Sequence, residues 1–157
     1  MKTLIFVRHG EANYVAESDY KRNLTERGEL QAEHTALMLL AHWFVPESVL
    51  CSPAVRAKET CRIICRKLNI NTDDVQYFPK LYSHGFEAYL SEIIALDDIN
   101  VAMIVGHNPA ISQLVNYFCK DEIFHLEPGA SVAISFDADD WNLIFSVPSK
   151  ILFRSFL

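Results

Sequence analysis

Short apolar runs alternate with longer amphipathic stretches along this chain. Residues 3–7 are apolar and partly β-branched, which predicts a buried strand, and the polar stretch 11–24 predicts a loop. Thr25 is placed to cap a helix that carries Leu30, Leu37, Leu40 and Phe44 on roughly one face. Residues 48–52 read as a second strand. Ser52 then serves as N-cap and Pro53 as first position of a helix reaching about Leu68. Residues 75–78 form a weaker third strand and residues 86–96 a helix. Residues 101–110 repeat the opening grammar: an apolar strand ends at Gly106-His107, and Asn108-Pro109 opens a helix with Ile111, Leu114, Val115 and Phe118 inside. Residues 131–136 and 142–147 read as a closing pair of strands, followed by an apolar tail, residues 151–157, that packs on the sheet or forms a dimer contact. Strands alternating with helices predict an α/β fold, a three-layer sandwich with a mostly parallel central sheet flanked by helices. No linker, repeat or low-complexity segment interrupts it, so residues 1–157 are expected to form a single domain.

Composition narrows the function. A net charge of -6 disfavours broad nucleic-acid binding, which needs a basic face, while leaving room for a local basic pocket that focuses anions. The apolar run after Lys2 stops at Arg8, too short for a signal-peptide core or a membrane span. Cys51, Cys61, Cys65 and Cys119 form no C-x-x-C pair. Cys61 and Cys65 share a helix face, but zinc would need two further ligands. They read as reduced core residues of a cytoplasmic protein, with no metal and no cofactor expected.

The strand ends carry the chemistry. Arg8 and His9 terminate the first strand, Arg56 sits in the first turn after the second, and His107 terminates the strand before Asn108-Pro109. In parallel sheets, sites collect at the carboxyl ends of strands. If the three strands are parallel neighbours, two arginines and two histidines converge beside two helix N-termini, a setting for a small dianion such as phosphate. Each residue alone has a plainer reading: a core histidine, a strand-end ion pair, one more charge on a basic helix, a helix cap. His34, His42 and His125 lie away from these strand ends and carry no assigned role.

Four segments match one family. "VRHGEA", "LCSPAVRAKET", "VGHNPAISQLV" and "KRNLTERG" resemble the signature segments of the histidine phosphatase superfamily, the phosphoglycerate-mutase-like family, in order and spacing over nearly the whole chain. The short length and the last segment resemble its bacterial SixA-type phosphohistidine phosphatases. That resemblance implies that His9 is the nucleophile and becomes phosphohistidine. It implies that Arg8 and Arg56 hold the phosphoryl group, that His107 hydrogen-bonds it, that Arg22 reaches it from the loop, and that Asn108 donates a backbone N–H. One departure stands out: the family's proline after the loop arginine is Asn23 here, which is expected to loosen how Arg22 is held.

Relatives that release an alkoxide need a general acid, often a glutamate after a leucine; the matching position here is Ser83, a poor proton donor. His84 and Glu87 are nearby candidates, read here as a loop residue and a solvated charge. A phosphoramidate leaves with a proton already on its ring and needs less help. The expected function is hydrolysis of protein phosphohistidine, the partner a histidine-containing phosphotransfer protein. The protein is expected as a monomer or weak dimer, with no nucleic acid or membrane partner. Two alternatives stay open: a small-molecule phosphomonoesterase using His84 or Glu87, and a phosphate- or phosphohistidine-binding module without turnover. Tyr14, Tyr20 and Tyr82 are candidates for the pocket rim.

Overall fold

The apolar run after Met1 forms β1 (Lys2–Arg8), and it lies inside the sheet rather than at its edge. The structure, a computed structural model, describes residues 1–120 and 124–155. β1 pairs in parallel with β4 (Val101–Gly106) on one side and antiparallel with β5 (Ser131–Phe136) on the other. With β2 (Ser48–Cys51), β3 (Gln76–Tyr77) and β6 (Ser149–Ser155), the strand order is β3-β2-β4-β1-β5-β6. The β3-β2-β4-β1 half is parallel; β5 and β6 add antiparallel pairings.

Both faces are covered, which is why β1 reads as a continuous apolar run rather than an alternating one. Leu4 and Phe6 face a cluster with Tyr89 and Ile93 of α4 (Phe86–Ile94) and Ile111 and Leu114 of α5 (Ala110–Phe118). Ile5 and Val7 face the opposite cluster, with Ala36 and Leu39 of α1 (Glu26–Ala41) and Cys61 and Ile64 of α2 (Val55–Lys67). Burying each large side chain stabilises the fold by roughly 1.5–3 kcal/mol. A short helix, α3 (Lys80–Ser83), precedes α4.

Register aligns the functional edge. Arg8 pairs with Gly106 across β1 and β4, and Cys51 pairs with Val105 across β2 and β4. The carboxyl ends of these three parallel neighbours therefore lie side by side.

Three local expectations are corrected. Thr25 does cap α1, its Oγ1 accepting the Gly28 N–H at 3.0 Å, but the apolar face does not point inward. Leu30, Leu37 and Leu40 are 65%, 55% and 42% exposed, and the buried face is Gly28, Gln31, Ala32, Thr35, Ala36 and Leu39. Small residues let this helix approach its neighbours closely, and two polar ones serve them: Gln31 Oε1 accepts the Glu11 N–H at 2.8 Å, and Thr35 Oγ1 donates to the Gly129 carbonyl at 2.9 Å. Second, α2 begins at Val55 with Ala54 as its cap, not at Ser52-Pro53, although Ser52 Oγ accepts the Ala54 N–H at 3.3 Å. Third, residues 142–147 form no strand. Asp140 Oδ1 accepts the Asn142 N–H at 2.7 Å and starts a 3-10 turn, Trp141–Leu143. The closing strand is β6, built from the apolar tail and paired with β5 at the sheet edge; Phe156 and Leu157 lie outside the described residues.

Cys51, Cys61, Cys65 and Cys119 are all buried. Among the described residues no helix is long and apolar enough to cross a membrane.

Candidate active site

His9 sits one residue past the end of β1, on a backbone held from both sides. Its N–H donates to the Gly106 carbonyl at 3.1 Å, and its carbonyl accepts from the Gly129 N–H at 2.9 Å. Gly129 adopts φ +79°, a left-handed conformation that suits glycine. The His9 ring is set by Gly10: Nδ1 lies 2.7 Å from the Gly10 carbonyl, which can only accept, so Nδ1 carries the proton and Nε2 the lone pair. Arg56 Nε–H donates toward that Nε2 at 3.3 Å. Gly10 is required by close approach rather than by turn conformation, because a Cβ there would stand 2.5 Å from the Gly28 carbonyl oxygen. Thr60 ties this loop to α2, accepting the Gly10 N–H at 3.0 Å and donating to the Arg56 carbonyl at 2.8 Å.

Electrostatics keep His9 neutral. The ring is 8% exposed. Burial, reinforced by the Arg56, Arg8 and Arg22 cations and opposed by the Gly10 hydrogen bond, takes its pKa from 6.5 down to about 4. At neutral pH it presents an unprotonated nitrogen among cations, the state a nucleophile needs.

His107 follows β4 directly, its ring centroid 5.0 Å from that of His9. Its Nε2 lies 2.7 Å from Ser52 Oγ, and its backbone N–H donates to Tyr89 Oη at 3.2 Å. Burial, with His9 and Arg56 adding to it, takes its pKa to about 3. Arg8 Nη1 donates to the Leu126 carbonyl at 2.8 Å, and burial pulls this guanidinium below its usual value. Among the described residues, Arg8 Nε and His107 Nδ1 are the buried side-chain nitrogen atoms without a hydrogen-bond partner. An unpaired buried polar group costs about 1–3 kcal/mol, so two of them on residues flanking His9 point to a place for oxygen atoms to be received.

Arg22 and Asn108 occupy the rim and the floor. Arg22 Nε donates to the Asn13 carbonyl at 2.7 Å, Nη2 to the Ala12 carbonyl at 3.4 Å and Nη1 to Asp19 Oδ1 at 3.1 Å. Asn23 is tied to Asn13 twice: its backbone carbonyl accepts the Asn13 N–H at 2.9 Å, as a proline's would, and its Oδ1 accepts from Asn13 Nδ2 at 3.0 Å, a bond that proline could not make. The Asn108 side chain holds the floor: Nδ2 donates to the Leu126 carbonyl at 2.9 Å and Oδ1 accepts the Ser112 hydroxyl at 2.8 Å.

Three participants, Asp19, Ser52 and Tyr89, were not legible as such. Asp19, in the loop after β1, accepts hydrogen bonds from Arg56, Arg22 and Tyr82. Tyr82 stacks edge-on against His107 at 5.7 Å and Tyr20 at 5.1 Å, so it does lie at the rim. Ser52 abuts His107, and Tyr89 supports it from beneath by donating to the Leu81 carbonyl at 2.7 Å. The spacing of Asp19 and Arg22 was the one available signal, and it reads equally as a surface ion pair. Among the described residues, neither candidate acid is hydrogen-bonded to this cluster. His84 Nδ1 pairs with Ser83 Oγ at 2.7 Å, and Glu87 lines a shallow depression with Phe86, Gln113 and Tyr117. Among the described residues, no group of three His, Cys, Asp or Glu side chains is arranged to hold a metal ion.

Comparison with known proteins shows the family and the fold. The family model of the histidine phosphatase superfamily (branch 1) matches residues 4–82. The chain belongs to this superfamily. The matched segment contains Arg8, His9, Arg22 and Arg56; His107 lies beyond it. Among solved structures, a candidate phosphohistidine phosphatase SixA from Nakamurella multipartitia superposes with a TM-score of 0.82 at 25% identity, covering 99% of this chain and 95% of that one. A candidate SixA from Agrobacterium tumefaciens superposes at 0.85 with 23% identity, covering 99% of both chains, which shows the shared fold. A curated relative, the mitochondrial serine/threonine-protein phosphatase Pgam5 of Drosophila ananassae, is 40% identical over 72 residues, 46% of this chain. That match spans about a quarter (25%) of the relative's length.

Proposed function

We propose that this superfamily member hydrolyses phosphohistidine on another protein through a covalent phosphoryl group on His9. The observation that carries the reading is the His9 Nε2 lone pair beside Arg56 Nε, with unpartnered Arg8 Nε and His107 Nδ1 on the flanking residues.

The steps follow from the contacts. His9 Nε2 attacks phosphorus as the substrate's P–N bond breaks, and the substrate imidazole departs with the electron pair of that bond. Arg8, Arg56, Arg22 and His107 spread the charge of the phosphoryl oxygens in flight. When Ser52 donates its hydroxyl to His107 Nε2, Nδ1 carries the proton and becomes a donor. The Gly10 carbonyl keeps a proton on His9 Nδ1, so the phosphorylated ring is cationic and leaves as neutral imidazole when water attacks. Water's proton goes to phosphate, and His9 returns to its starting state. These cations supply the charge, and the reading assigns no step to a metal ion or cofactor.

A protonated phosphohistidine needs no enzyme acid, whereas an alkoxide does. No hydrogen bond among the described residues connects Glu87 or His84 to the cluster, which favours the phosphoramidate. The likeness to a SixA candidate supports the same substrate, and a histidine-containing phosphotransfer protein is the proposed partner. The buried thiols of Cys51, Cys61 and Cys65 suit the reducing cytoplasm. A second reading, ester hydrolysis, draws support from the Pgam5 match. The deciding experiment compares kcat/KM on a phosphohistidine-bearing phosphotransfer domain and on a phosphoserine peptide, with His9→Ala as control. Phosphohistidine is expected to win by about 100-fold or more, equivalent to roughly 3 kcal/mol in the barrier. Equal rates would select the ester reading.

A further inference from the structure

We propose that Asp19 is a positioning residue: it holds one edge of the Arg56 guanidinium so that the other edge faces the phosphoryl group on His9. This rests on the phosphoryl-transfer reading above and adds to it a residue that the strand-end pattern does not contain.

A guanidinium has two edges that offer paired donors, Nη1 with Nη2 and Nε with Nη2. Asp19 alone occupies the first. Arg56 Nη1 donates to the Asp19 backbone carbonyl at 2.7 Å and Nη2 donates to Asp19 Oδ2 at 3.1 Å. The second edge is the one whose Nε stands 3.3 Å from His9 Nε2. An arginine side chain has many rotamers, and here the free fork is aimed at the nucleophile because the other fork is taken. Arg56 is 6% exposed, so this choice is made in an interior where a mis-aimed guanidinium has no water to satisfy it.

The same carboxylate gathers the rest of the rim. Its Oδ1 accepts from Arg22 Nη1 at 3.1 Å, and Oδ2 also accepts the Tyr82 hydroxyl at 3.0 Å. Tyr82 in turn leans on the His107 ring. The loop is pinned to the start of α2 where Val55 N–H donates to the Tyr20 carbonyl at 3.1 Å. Partial burial works against the charge, but hydrogen bonds from Arg22, Tyr82 and Arg56 hold the Asp19 carboxyl down to about 2, so it is ionised wherever the enzyme works.

A fixed negative charge beside an anion site opposes ground-state binding. It persists usefully only if its geometry matters more in the transition state, and this sets the signature of the test. Inorganic phosphate and orthovanadate, whose trigonal-bipyramidal form resembles the phosphoryl group in flight, are titrated calorimetrically into the unaltered protein, Asp19→Ala and Asp19→Asn. Hydrolysis of p-nitrophenyl phosphate and thermal unfolding are measured alongside. Asp19→Ala is expected to bind phosphate as tightly or more tightly, to lose tenfold or more in vanadate affinity relative to phosphate, and to lose kcat by a similar factor. Asp19→Asn keeps an acceptor for Arg56 and is expected to recover part of both losses. Tighter binding of both anions with unchanged or raised kcat would make Asp19 a mere competitor and overturn the proposal. Parallel loss of both anions with a lowered melting temperature would overturn it in favour of a structural role. Absence of turnover in the unaltered protein on both p-nitrophenyl phosphate and a phosphohistidine-bearing phosphotransfer domain would instead refute the phosphatase reading, and the vanadate-to-phosphate ratio would still decide the role of Asp19.

Discussion

Replacing Tyr89 with phenylalanine removes one oxygen atom and tests how His107 is supported. Tyr89 is fully buried, 0% exposed, and its hydroxyl bridges two backbone groups. It accepts the His107 N–H at 3.2 Å and donates to the Leu81 carbonyl at 2.7 Å. Phenylalanine keeps the ring in the core cluster that also holds Leu4, Phe6 and Ile93, so little packing is lost. What remains is an interior N–H and an interior carbonyl with no partner. At about 1–3 kcal/mol each, and with some relaxation, the expected loss is about 2–4 kcal/mol. Against a total stability on the order of 5–15 kcal/mol, that is large. Equilibrium urea unfolding measures it as a lowered midpoint with an unchanged slope. His107 loses the bond that fixes its backbone, so kcat should fall by about tenfold even where the protein is fully folded. A stability loss under about 0.5 kcal/mol, the range of ordinary surface substitutions, would refute the bridging role.

Two further outcomes follow from the same contacts. His9 has its pKa held at about 4 against the usual 6.5, so the unfolded chain takes up a proton over that window and the native state does not. Stability is therefore full above about 6.5 and declines as pH falls toward 4, by roughly 3 kcal/mol for this ring alone; denaturant midpoints flat between pH 7 and 5 would contradict it. At Gly28, an added methyl would lie 2.1 Å from the Glu11 carbonyl oxygen and 3.0 Å from its nitrogen, both backbone, whereas at Gly85 it would meet nothing within 4 Å. Gly28→Ala should destabilise by about 1–3 kcal/mol and Gly85→Ala by less than about 0.5 kcal/mol, and equal melting temperatures for the two variants would contradict the contact.

The strand-end cluster of the candidate site was legible because it obeys simple rules. A strand buried on both faces is apolar throughout, so Arg8 and His9 at its end stand out, and the parallel register puts His107 and the start of α2 beside them. The inward face of α1 was not legible. Close packing selected small and polar residues there, among them Gln31 and Thr35 with specific backbone partners, and left Leu30 and Leu37 outside. The last strand was misplaced for a related reason: residues 142–147 carry strand-like side chains, but Asp140 turns the chain before they can pair. Asp19 was hidden because its partners Arg56 and Tyr82 come from distant segments, and a lone aspartate in a polar loop has no pattern of its own. The Asn23 departure from the motif brings one bond that proline could not make, Oδ1 accepting from Asn13 Nδ2.

The most direct test of the covalent reading is to mix the protein with a phosphohistidine-bearing phosphotransfer domain labelled with ³²P, quench in denaturant within the first turnover, and look for label on this chain. The predicted result is an acid-labile, base-stable phosphoryl group at His9 in the unaltered protein and none in His9→Ala. Label retained in His9→Ala, or phosphate released from the unaltered protein in the first turnover without a labelled chain, would contradict it.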